Sequence, residues 1–365
     1  MKRFLVRIFV FCGTLALILE AFFRVVVPAC SVAYTVYNPE FAILQLDKSK
    51  TRVGCFTSGR LAQFKSHWRV NNYGWNSGVN YVSSQTRRKP SIAVIGDSFI
   101  EGYCCDWKDH VATRLQQLTK DSYDVYSFGI SGATLMQYVN MARYVSHHFD
   151  PDIFIFRVGS GKLEDSVGNY GRWPLQLQLK YEDDHFVELP PIPYVPDPKK
   201  RLLRQSAIIR YLLFNAKVNL LGGQLVREGS AQQDDEFGDG IGFVTSGKQH
   251  VLRMAARYIV EKLRIDHPGK TLVFVIDADR GAIYESPEPP KRLYDSFFLE
   301  EACKQHSGDF VDLTEAFHTD YREQGRKFDF EFDDHWNAYG NFVVAKTVYD
   351  YLVWRQLLCL PETTG

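Results

Sequence analysis

The sequence predicts an α/β fold in which a parallel five-stranded β-sheet is covered by helices on both sides. Short apolar runs, typical of buried parallel strands, alternate with longer segments of helical periodicity. The chain has 365 residues, of which 45% are hydrophobic and 14% aromatic, and this suffices for a large core. An apolar N-terminal segment stands apart from the alternation and predicts a separate role.

Residues 1–30 form a membrane anchor or a signal segment. Three basic residues precede the apolar run 8–19. Counting from 4 to 23 gives roughly the 20 residues that a membrane span needs, with Arg7 and Glu20 snorkelling towards opposite faces. The positive-inside rule then places the rest of the chain outside the cytoplasm. We expect a retained single-pass anchor; a cleaved signal peptide is the alternative.

Residues 31–90 link this segment to the core. Aromatic residues are mixed here with turn formers, as in the stretch 68–75. We expect an ordered strap that packs on the core and has little regular structure.

The core domain is expected at 91–356. Strands are predicted at 92–95, 124–128, 152–156, 271–276 and 310–313, and helices at about 107–118, 135–147, 248–265, 291–306 and 338–354. Strands that alternate with helices form parallel sheets, and their crossovers are right-handed. The pattern therefore predicts a flavodoxin-like, three-layer α/β/α domain with strand order 2-1-3-4-5.

A long insertion, at about 168–247, separates the third and fourth strands. Its proline-rich part, 189–198, must be extended, 200–221 could hold a helix, and the acidic stretch 229–242 is expected to be mobile. The insertion leaves the sheet at its carboxyl edge, where it could form a lid, a substrate wall or only a surface elaboration. Its aromatic residues could stack on sugars or belong to the core: Tyr170, Trp173, Tyr181 and Tyr194.

Charge and composition restrict the partners and cofactors. The 43 basic residues are balanced by 43 acidic residues and form no extended basic run, so we expect no nucleic-acid partner. None of the seven cysteines has a metal-binding spacing such as C-x-x-C, and we expect neither a metal nor a cofactor. Cys104 and Cys105 are expected near the site proposed below, as buried free thiols or with one of them in a disulfide.

A candidate nucleophile follows the first strand of the core. Four apolar residues run directly into Gly96, Asp97 and Ser98. Ligands of open parallel sheets bind just beyond the carboxyl ends of the strands, so a hydroxyl at Ser98 could act as a nucleophile if a base reaches it. Alternatively, Asp97 or Ser98 simply caps the helix that follows.

A candidate base precedes the last helix. His335 stands after Asp333 and Asp334 and before Trp336 and Asn337, and no other of the ten histidines has such a setting. A catalytic histidine needs a carboxylate that fixes its tautomer, and either aspartate could supply it. Asn337 could cap the last helix.

Together, Gly96-Asp-Ser-Phe99 and Asp333-Asp-His-Trp-Asn337 resemble the motifs of the SGNH/GDSL hydrolase family. The likeness extends over about 68–354 and is greatest to the exported, membrane-anchored bacterial branch with carbohydrate O-acetyltransferases such as the alginate O-acetylation proteins. The resemblance implies Ser98 as the nucleophile, His335 as the general base and Asp333 as the supporting acid. It places Asp97, Asp334, Trp336 and Asn337 in the vicinity of the substrate.

The resemblance also implies an oxyanion hole, and here the sequence departs from the family. The second family block matches 128–134, where Gly132 would donate its backbone N–H beside that of Ser98. The family's third block has Gly-x-Asn-Asp, but this chain reads Gly159-Ser-Gly-Lys162. Ser160 falls nearest the missing asparagine; Gly161 is the other possible alignment and would offer no side-chain donor. The loss of one oxyanion donor costs about 100- to 1,000-fold in turnover.

The resemblance implies a serine esterase or O-acyltransferase whose substrate is an acylated carbohydrate or another ester. Membrane proteins of a polysaccharide-modification system would be its partners. Three outcomes of the missing asparagine remain open: slow turnover, a replacement donor, or no catalysis. Ser160, Lys162 and Asn169 are the candidates for a replacement donor. A lipid-directed esterase and a non-catalytic glycan-binding or assembly protein are the alternative functions.

Overall fold

The computed structural model describes residues 2–49, 53–120, 122–218, 246–292 and 294–358. The strands are β1 (Thr35–Asn38), β2 (Ile43–Leu46), β3 (Val53–Ser58), β4 (Phe64–Arg69), β5 (Ser91–Gly96), β6 (Asp124–Gly129), β7 (Ile153–Val158), β8 (Gln178–Glu182), β9 (His185–Leu189), β10 (Thr271–Ile276), β11 (Asp309–Asp312), β12 (Asp329–Phe330) and β13 (Asp333–Trp336). The α-helices are α1 (Lys2–Val25), α2 (Ser98–Glu101), α3 (Val111–Leu118), α4 (Gln137–Phe149), α5 (Lys162–Asp165), α6 (Pro198–Leu203), α7 (Ala207–Arg210), α8 (Ser246–Asp266), α9 (Arg280–Glu285), α10 (Tyr294–Gln305), α11 (Thr314–Gln324) and α12 (Ala338–Trp354).

A five-stranded parallel sheet forms the centre of the fold, as the sequence predicted. Its order is β6-β5-β7-β10-β11, and every neighbouring pair is parallel. The strands are rich in β-branched and aromatic residues, and β5 and β7 are buried along their whole length. Because all five strands run the same way, their carboxyl ends meet at one edge of the sheet.

Helices pack on both faces of this sheet. Alternate residues of a strand point to opposite faces, so Ile92 and Val94 of β5 join one apolar cluster while Ala93 and Ile95 join another. Helices α3, α9, α11 and α12 contribute to the first cluster, and α4, α8 and α10 to the second. The sheet therefore lies between two apolar cores, one on each face.

The segment 31–90 contains regular structure, so the expectation of a largely irregular strap is wrong. It forms two antiparallel hairpins, β1–β2 and β3–β4. Aromatic and turn-forming residues are compatible with hairpins as well as with irregular straps, which explains the error. The side chain of Trp75 is fully buried against the central core, so this segment packs firmly on the domain.

The insertion begins with a hairpin, β8–β9, and continues through α6, α7 and a π-helical turn at Tyr211–Asn215. These short helices take the place of the single helix expected at 200–221. The acidic stretch 229–242 lies outside the described residues. Tyr170, Tyr181 and Tyr194 are half-buried and pack against the central core, which favours a structural role for them.

Among the residues that the structure describes, one helix, α1, is long and apolar enough to span a membrane or to act as a signal anchor. None of its residues is buried. The carboxylate of Glu20, which the sequence predicts to snorkel towards a membrane face, accepts hydrogen bonds from the Ser206 hydroxyl and the Ala207 backbone N–H, both at 2.8 Å. Glu20 thus connects the end of α1 to the start of α7.

Candidate active site

Ser98 lies in the turn between β5 and the short helix α2. Asp97 caps this helix, since its carboxylate accepts the backbone N–H of Phe99 at 3.2 Å. A Cβ atom at Gly96 would lie 2.3 Å from Cγ1 of Ile100, so glycine permits the sharp turn from strand to helix. The turn leaves Ser98 half-buried at the carboxyl edge of the sheet. Capping by Asp97 and a functional Ser98 are therefore compatible.

His335 connects Ser98 to a carboxylate. Its Nε2 lies 2.7 Å from Oγ of Ser98, and its Nδ1 lies 2.5 Å from Oδ1 of Asp333. Burial would raise the pKa of Asp333, but the hydrogen bond and the charge interaction with His335 lower it below its ordinary value. An ionised Asp333 holds the proton on Nδ1, which leaves Nε2 able to accept the proton of Ser98.

Asp334 and Asn337 lie on either side of this histidine. The exposed Asp334 carboxylate is 3.7 Å from Nδ1 of His335, farther than that of Asp333. The Asn337 carbonyl oxygen accepts the backbone N–H groups of Tyr339 and Gly340, both at 2.9 Å, while its amide donates to two backbone carbonyls. The carbonyl oxygen of the Asn337 side chain therefore caps α12, and its amide nitrogen holds the loop that carries His335.

Arg157 lies beneath the serine turn and joins it to the next strand. Its guanidinium donates to the Asp97 carboxylate at 2.9 and 3.2 Å, and also to the carboxylate of Asp277, just after β10. The same guanidinium stacks 3.6 Å from the ring centroid of Phe99. All three charged side chains are buried. Burial raises the pKa of both aspartates, but Arg157 contributes to an overall lowering, so both are held ionised.

Asp277 continues this network to the histidine loop. It accepts two hydrogen bonds from Arg280, at 2.6 and 2.7 Å, and one from the indole N–H of the buried Trp336 at 3.3 Å. Arg280 also donates to the backbone carbonyl of Asp334 at 2.5 Å. A continuous set of buried hydrogen bonds thus links the turn before Ser98 with both neighbours of His335.

The turn after β6 presents Gly132, whose φ of +76° lies in the left-handed region that favours glycine. The preceding residue, Ser131, donates its backbone N–H to the carboxylate of Glu101 at 2.8 Å, and its hydroxyl donates to the same oxygen. Burial raises the pKa of Glu101 to about 7. Glu101 therefore supports the turn that carries the proposed oxyanion donor.

The structure separates the three candidates for the missing third donor. Lys162 is buried and pairs with Asp97 and Asp165, both at 3.4 Å. The carboxamide of Asn169 both donates to and accepts from the backbone of Tyr181. Ser160 is exposed in the turn after β7. Its hydroxyl takes no part in the ion pairs of Lys162 or in the hydrogen bonds of Asn169.

Three side chains that can bind a metal have their ligand atoms within 4.8 Å of one another: Cys104, Asp333 and His335. The direct 2.5 Å contact between Nδ1 of His335 and Oδ1 of Asp333 leaves no room for an ion between them. Burial also raises the pKa of the Cys104 thiol far above its ordinary range, so in this arrangement the thiol is protonated. The arrangement instead fits a thiol that donates to Asp333. Six cysteines in the described part of the chain are free thiols.

Sequence reasoning missed Arg157, Asp277, Arg280 and Glu101. One signal was available, because an arginine inside the apolar strand 153–158 needs a buried carboxylate partner. Its partners lie 60 and 120 positions away, and sequence spacing does not identify such pairs.

Comparison with known proteins gives distant structural likenesses and no family. No protein-family model and no curated protein matches the chain. In solved structures, 76% of the chain aligns with 52% of a two-domain esterase active on acetylated mannans, at 12% identity and a TM-score of 0.39. An acetyl xylan esterase (Est2A) from the rumen bacterium Butyrivibrio proteoclasticus aligns over 66% of its length with 76% of this chain, at 10% identity and a TM-score of 0.36. Est24, a carbohydrate acetylesterase from Sinorhizobium meliloti, aligns over its whole length with 73% of this chain, at 11% identity and a TM-score of 0.34.

The chain spans about half the length of the two-domain esterase. At these identities and TM-scores the likeness carries no argument about activity. The functional conclusion therefore rests on the side chains of the site.

Proposed function

We propose that the chain is an SGNH-type serine enzyme that hydrolyses or transfers acyl esters, with O-acylated glycans of the cell envelope or an exopolysaccharide as substrates. The observation that carries the proposal is the hydrogen-bonded series Ser98–His335–Asp333, with distances of 2.7 and 2.5 Å. This series supports Ser98 as nucleophile, His335 as general base and Asp333 as the residue that orients the histidine. The strand order and the helices on both sheet faces agree with a flavodoxin-like arrangement.

Acylation begins when Oγ of Ser98 attacks the ester carbonyl and its proton passes to Nε2 of His335. The carbonyl oxygen becomes an oxyanion, which accepts the backbone N–H groups of Ser98 and Gly132 and the hydroxyl of Ser160. Collapse of this intermediate breaks the bond between the acyl carbon and the sugar oxygen. The departing sugar oxygen takes the proton from His335, and the acyl group stays on Ser98.

Deacylation repeats these steps with a new nucleophile. Water, or the hydroxyl of an acceptor sugar, gives its proton to His335 and attacks the acyl carbon. The bond between the acyl carbon and Oγ of Ser98 then breaks, and Oγ takes the proton back from His335. Water makes the protein an esterase, and a sugar acceptor makes it an O-acyltransferase. The balance depends on how well the site excludes water and binds the acceptor.

The apolar helix α1 supports a location at a membrane. We infer an anchor within 1–30, a strap at 31–90 and an enzyme domain at 91–356 outside the cytoplasm, because basic residues precede the apolar segment. Acylated polysaccharides are substrates of suitable chemistry in that compartment. Membrane components of a polysaccharide-modification system are the partners that this location favours.

One observation favours a lipid-directed esterase as a second candidate. Phe332, immediately before Asp333, is 54% exposed and contacts Phe64 and Phe330, with ring centroids 5.0 and 6.0 Å apart. Exposed aromatic rings can stack on sugars, but they can equally contact an acyl chain. Activity on long-chain esters above that on acetylated glycans would identify this alternative.

A fluorophosphonate probe tests the serine chemistry directly. We expect the native protein to be labelled, Ser98→Ala to remain unlabelled, and His335→Ala to react at least about 100-fold more slowly. Ser84→Ala, at an exposed serine outside the site, is the matched serine control and should be labelled like the native protein. Absence of labelling in folded native protein would refute the proposal. Acetate release from acetylated glycans, with and without an acceptor sugar, then distinguishes hydrolysis from transfer.

A further inference from the structure

A pocket of about 420 Å³ opens beside the C-terminal end of α1. It shares no residue with the Ser98–His335–Asp333 series. Three arginines line this pocket and make it positively charged: one comes from the last turn of α1 and two come from the insertion. The lining residues are Arg24, Ser31, Val32, Tyr34, Val53, Arg204, Gln205 and Arg210.

The positive charge of this pocket is only partly neutralised. Arg24 pairs with Glu20 at 2.5 Å, but that carboxylate is already occupied by hydrogen bonds from Ser206 and Ala207 at the start of α7. In the part of the chain that the structure describes, neither Arg204 nor Arg210 forms a salt bridge. Arg204 therefore has no salt-bridge partner among these residues, and the Glu20 carboxylate that acts on Arg210 is already paired with Arg24.

Packing holds these guanidinium groups in place. The Arg204 guanidinium lies between the rings of Tyr34 and Phe214, with its central carbon 4.7 and 4.9 Å from the two centroids. Within the described residues, the buried Nε atoms of Arg204 and Arg210 have no hydrogen-bond partner. Burial lowers the pKa of both guanidinium groups, and at Arg210 the charge of Arg24 lowers it further while Glu20 only partly offsets it, as expected where cations have too little counter-charge. An anion in the pocket would supply that counter-charge.

The position of the pocket indicates which anion this is. A helix of 24 residues is about 36 Å long, slightly more than the roughly 30 Å hydrocarbon core of a bilayer. If α1 spans the membrane, its C-terminal end, and with it the pocket, lies at the level of the lipid headgroups. Guanidinium groups bind phosphate oxygens through paired N–H donors. We propose that Arg24, Arg204 and Arg210 form a binding site for the phosphate of an anionic lipid headgroup.

The site can be tested on the full-length chain in a non-ionic detergent by isothermal titration calorimetry. The probes are dihexanoyl phosphatidylglycerol, dihexanoyl phosphatidylcholine, glycerol 3-phosphate and inorganic phosphate. We expect saturable binding of phosphatidylglycerol, weakened about tenfold or more in Arg204→Gln, because a charge-assisted hydrogen bond is lost. Phosphatidylcholine, whose headgroup carries no net charge, should bind more weakly. Arg88→Gln, at an exposed arginine outside the pocket, should bind like the native protein.

Arg204→Lys distinguishes the loss of charge from a folding defect. It keeps the charge and should retain more of the affinity for phosphatidylglycerol than Arg204→Gln. Circular dichroism and fluorophosphonate labelling at Ser98 show whether each variant is folded. Binding of inorganic phosphate or glycerol 3-phosphate as tight as that of the lipid, and equally sensitive to Arg204→Gln, would support the phosphate site and assign it to a soluble ligand. No binding of any probe, or binding that Arg204→Gln leaves unchanged, would overturn the proposal.

Discussion

Replacing Arg157 by methionine tests whether the buried charges hold the serine and the histidine together. Methionine keeps an unbranched apolar stem, but it is shorter than arginine and has no charge. The change removes the hydrogen bonds to Asp97 at 2.9 and 3.2 Å and the contact with Asp277. Both carboxylates stay buried, each with one other cation near it: Lys162 at 3.4 Å from Asp97, and Arg280 at 2.6 Å from Asp277.

The expected magnitude follows from this partial compensation. Removing one partner of a buried ion pair destabilises a protein by about 3–5 kcal/mol. Because Lys162 and Arg280 remain, we expect the lower end, about 3 kcal/mol, from urea unfolding. The serine turn and the histidine loop would also lose their common partner. A displacement of about 1 Å in an active site can cost on the order of 100-fold in rate, so we expect a loss of this size in fluorophosphonate labelling.

Two further variants separate positioning from stability. Lys162→Met removes the longer pairs with Asp97 and Asp165, both at 3.4 Å, but leaves the Arg157 bridge in place. It should cost about 1 kcal/mol for each lost pair, with little loss of labelling. Arg157→Lys keeps the charge but cannot bridge both carboxylates, so it should recover stability more fully than labelling rate. If Arg157→Met lost stability but was labelled at the native rate, the network would be structural only. A stability change below about 1 kcal/mol would refute the argument from buried charge.

Two other predictions concern the oxyanion side of the site. Glu101→Gln mimics the protonated acid. Burial raises the pKa of Glu101 in the folded protein from its ordinary value of 4.5 to about 7, so the stability that the protonated side chain contributes is fully present below about pH 4.5 and is lost as the pH rises through 7. The variant should therefore gain stability over the native protein across that range, by about 3 kcal/mol at most, in thermal melts at pH 4 to 8; a constant difference would contradict the assignment. Ser160→Asn would restore the amide that the resemblance implies, and we expect kcat on p-nitrophenyl acetate to rise about tenfold or more, whereas an unchanged rate in both Ser160→Asn and Ser160→Ala would place position 160 outside the oxyanion hole.

The sequence predicts those parts of this molecule that depend on local pattern. The strand before Ser98 and the helix after Asn337 are both specified by residues next to them, and the structure has β5 and α12 where these patterns indicate. The meeting of Ser98 and His335 depends on more than local pattern. It was predictable because strands that alternate with helices bring their carboxyl ends to one edge, so that residues 237 positions apart come within 2.7 Å.

The buried charges could not be predicted in the same way. Arg157, Asp277 and Arg280 come from β7, from the end of β10 and from the start of α9. The sequence around Asp277 and Arg280 does not mark them as buried charges. Only Arg157 stands out, because it lies within an apolar strand. Which carboxylates approach that arginine depends on the order of the strands and on their register, and neither is encoded near Arg157 itself. The hairpins of 31–90 escaped prediction because aromatic and turn-forming residues are compatible with hairpins as well as with irregular segments.

The arrangement separates two requirements of acyl transfer. Proton transfer needs a serine, a base and an orienting carboxylate at hydrogen-bond distances, and Ser98, His335 and Asp333 satisfy this geometry. Stabilising the oxyanion needs several donors aimed at one point, and the turn after β7 offers an exposed Ser160 where the resemblance implies an asparagine. If turnover is low, the physical cause should therefore lie in the barrier to forming the tetrahedral intermediate and not in the basicity of the histidine. A fluorophosphonate, which starts with a more electrophilic centre than a natural ester, should then react readily at Ser98 even where glycan esters are cleaved slowly.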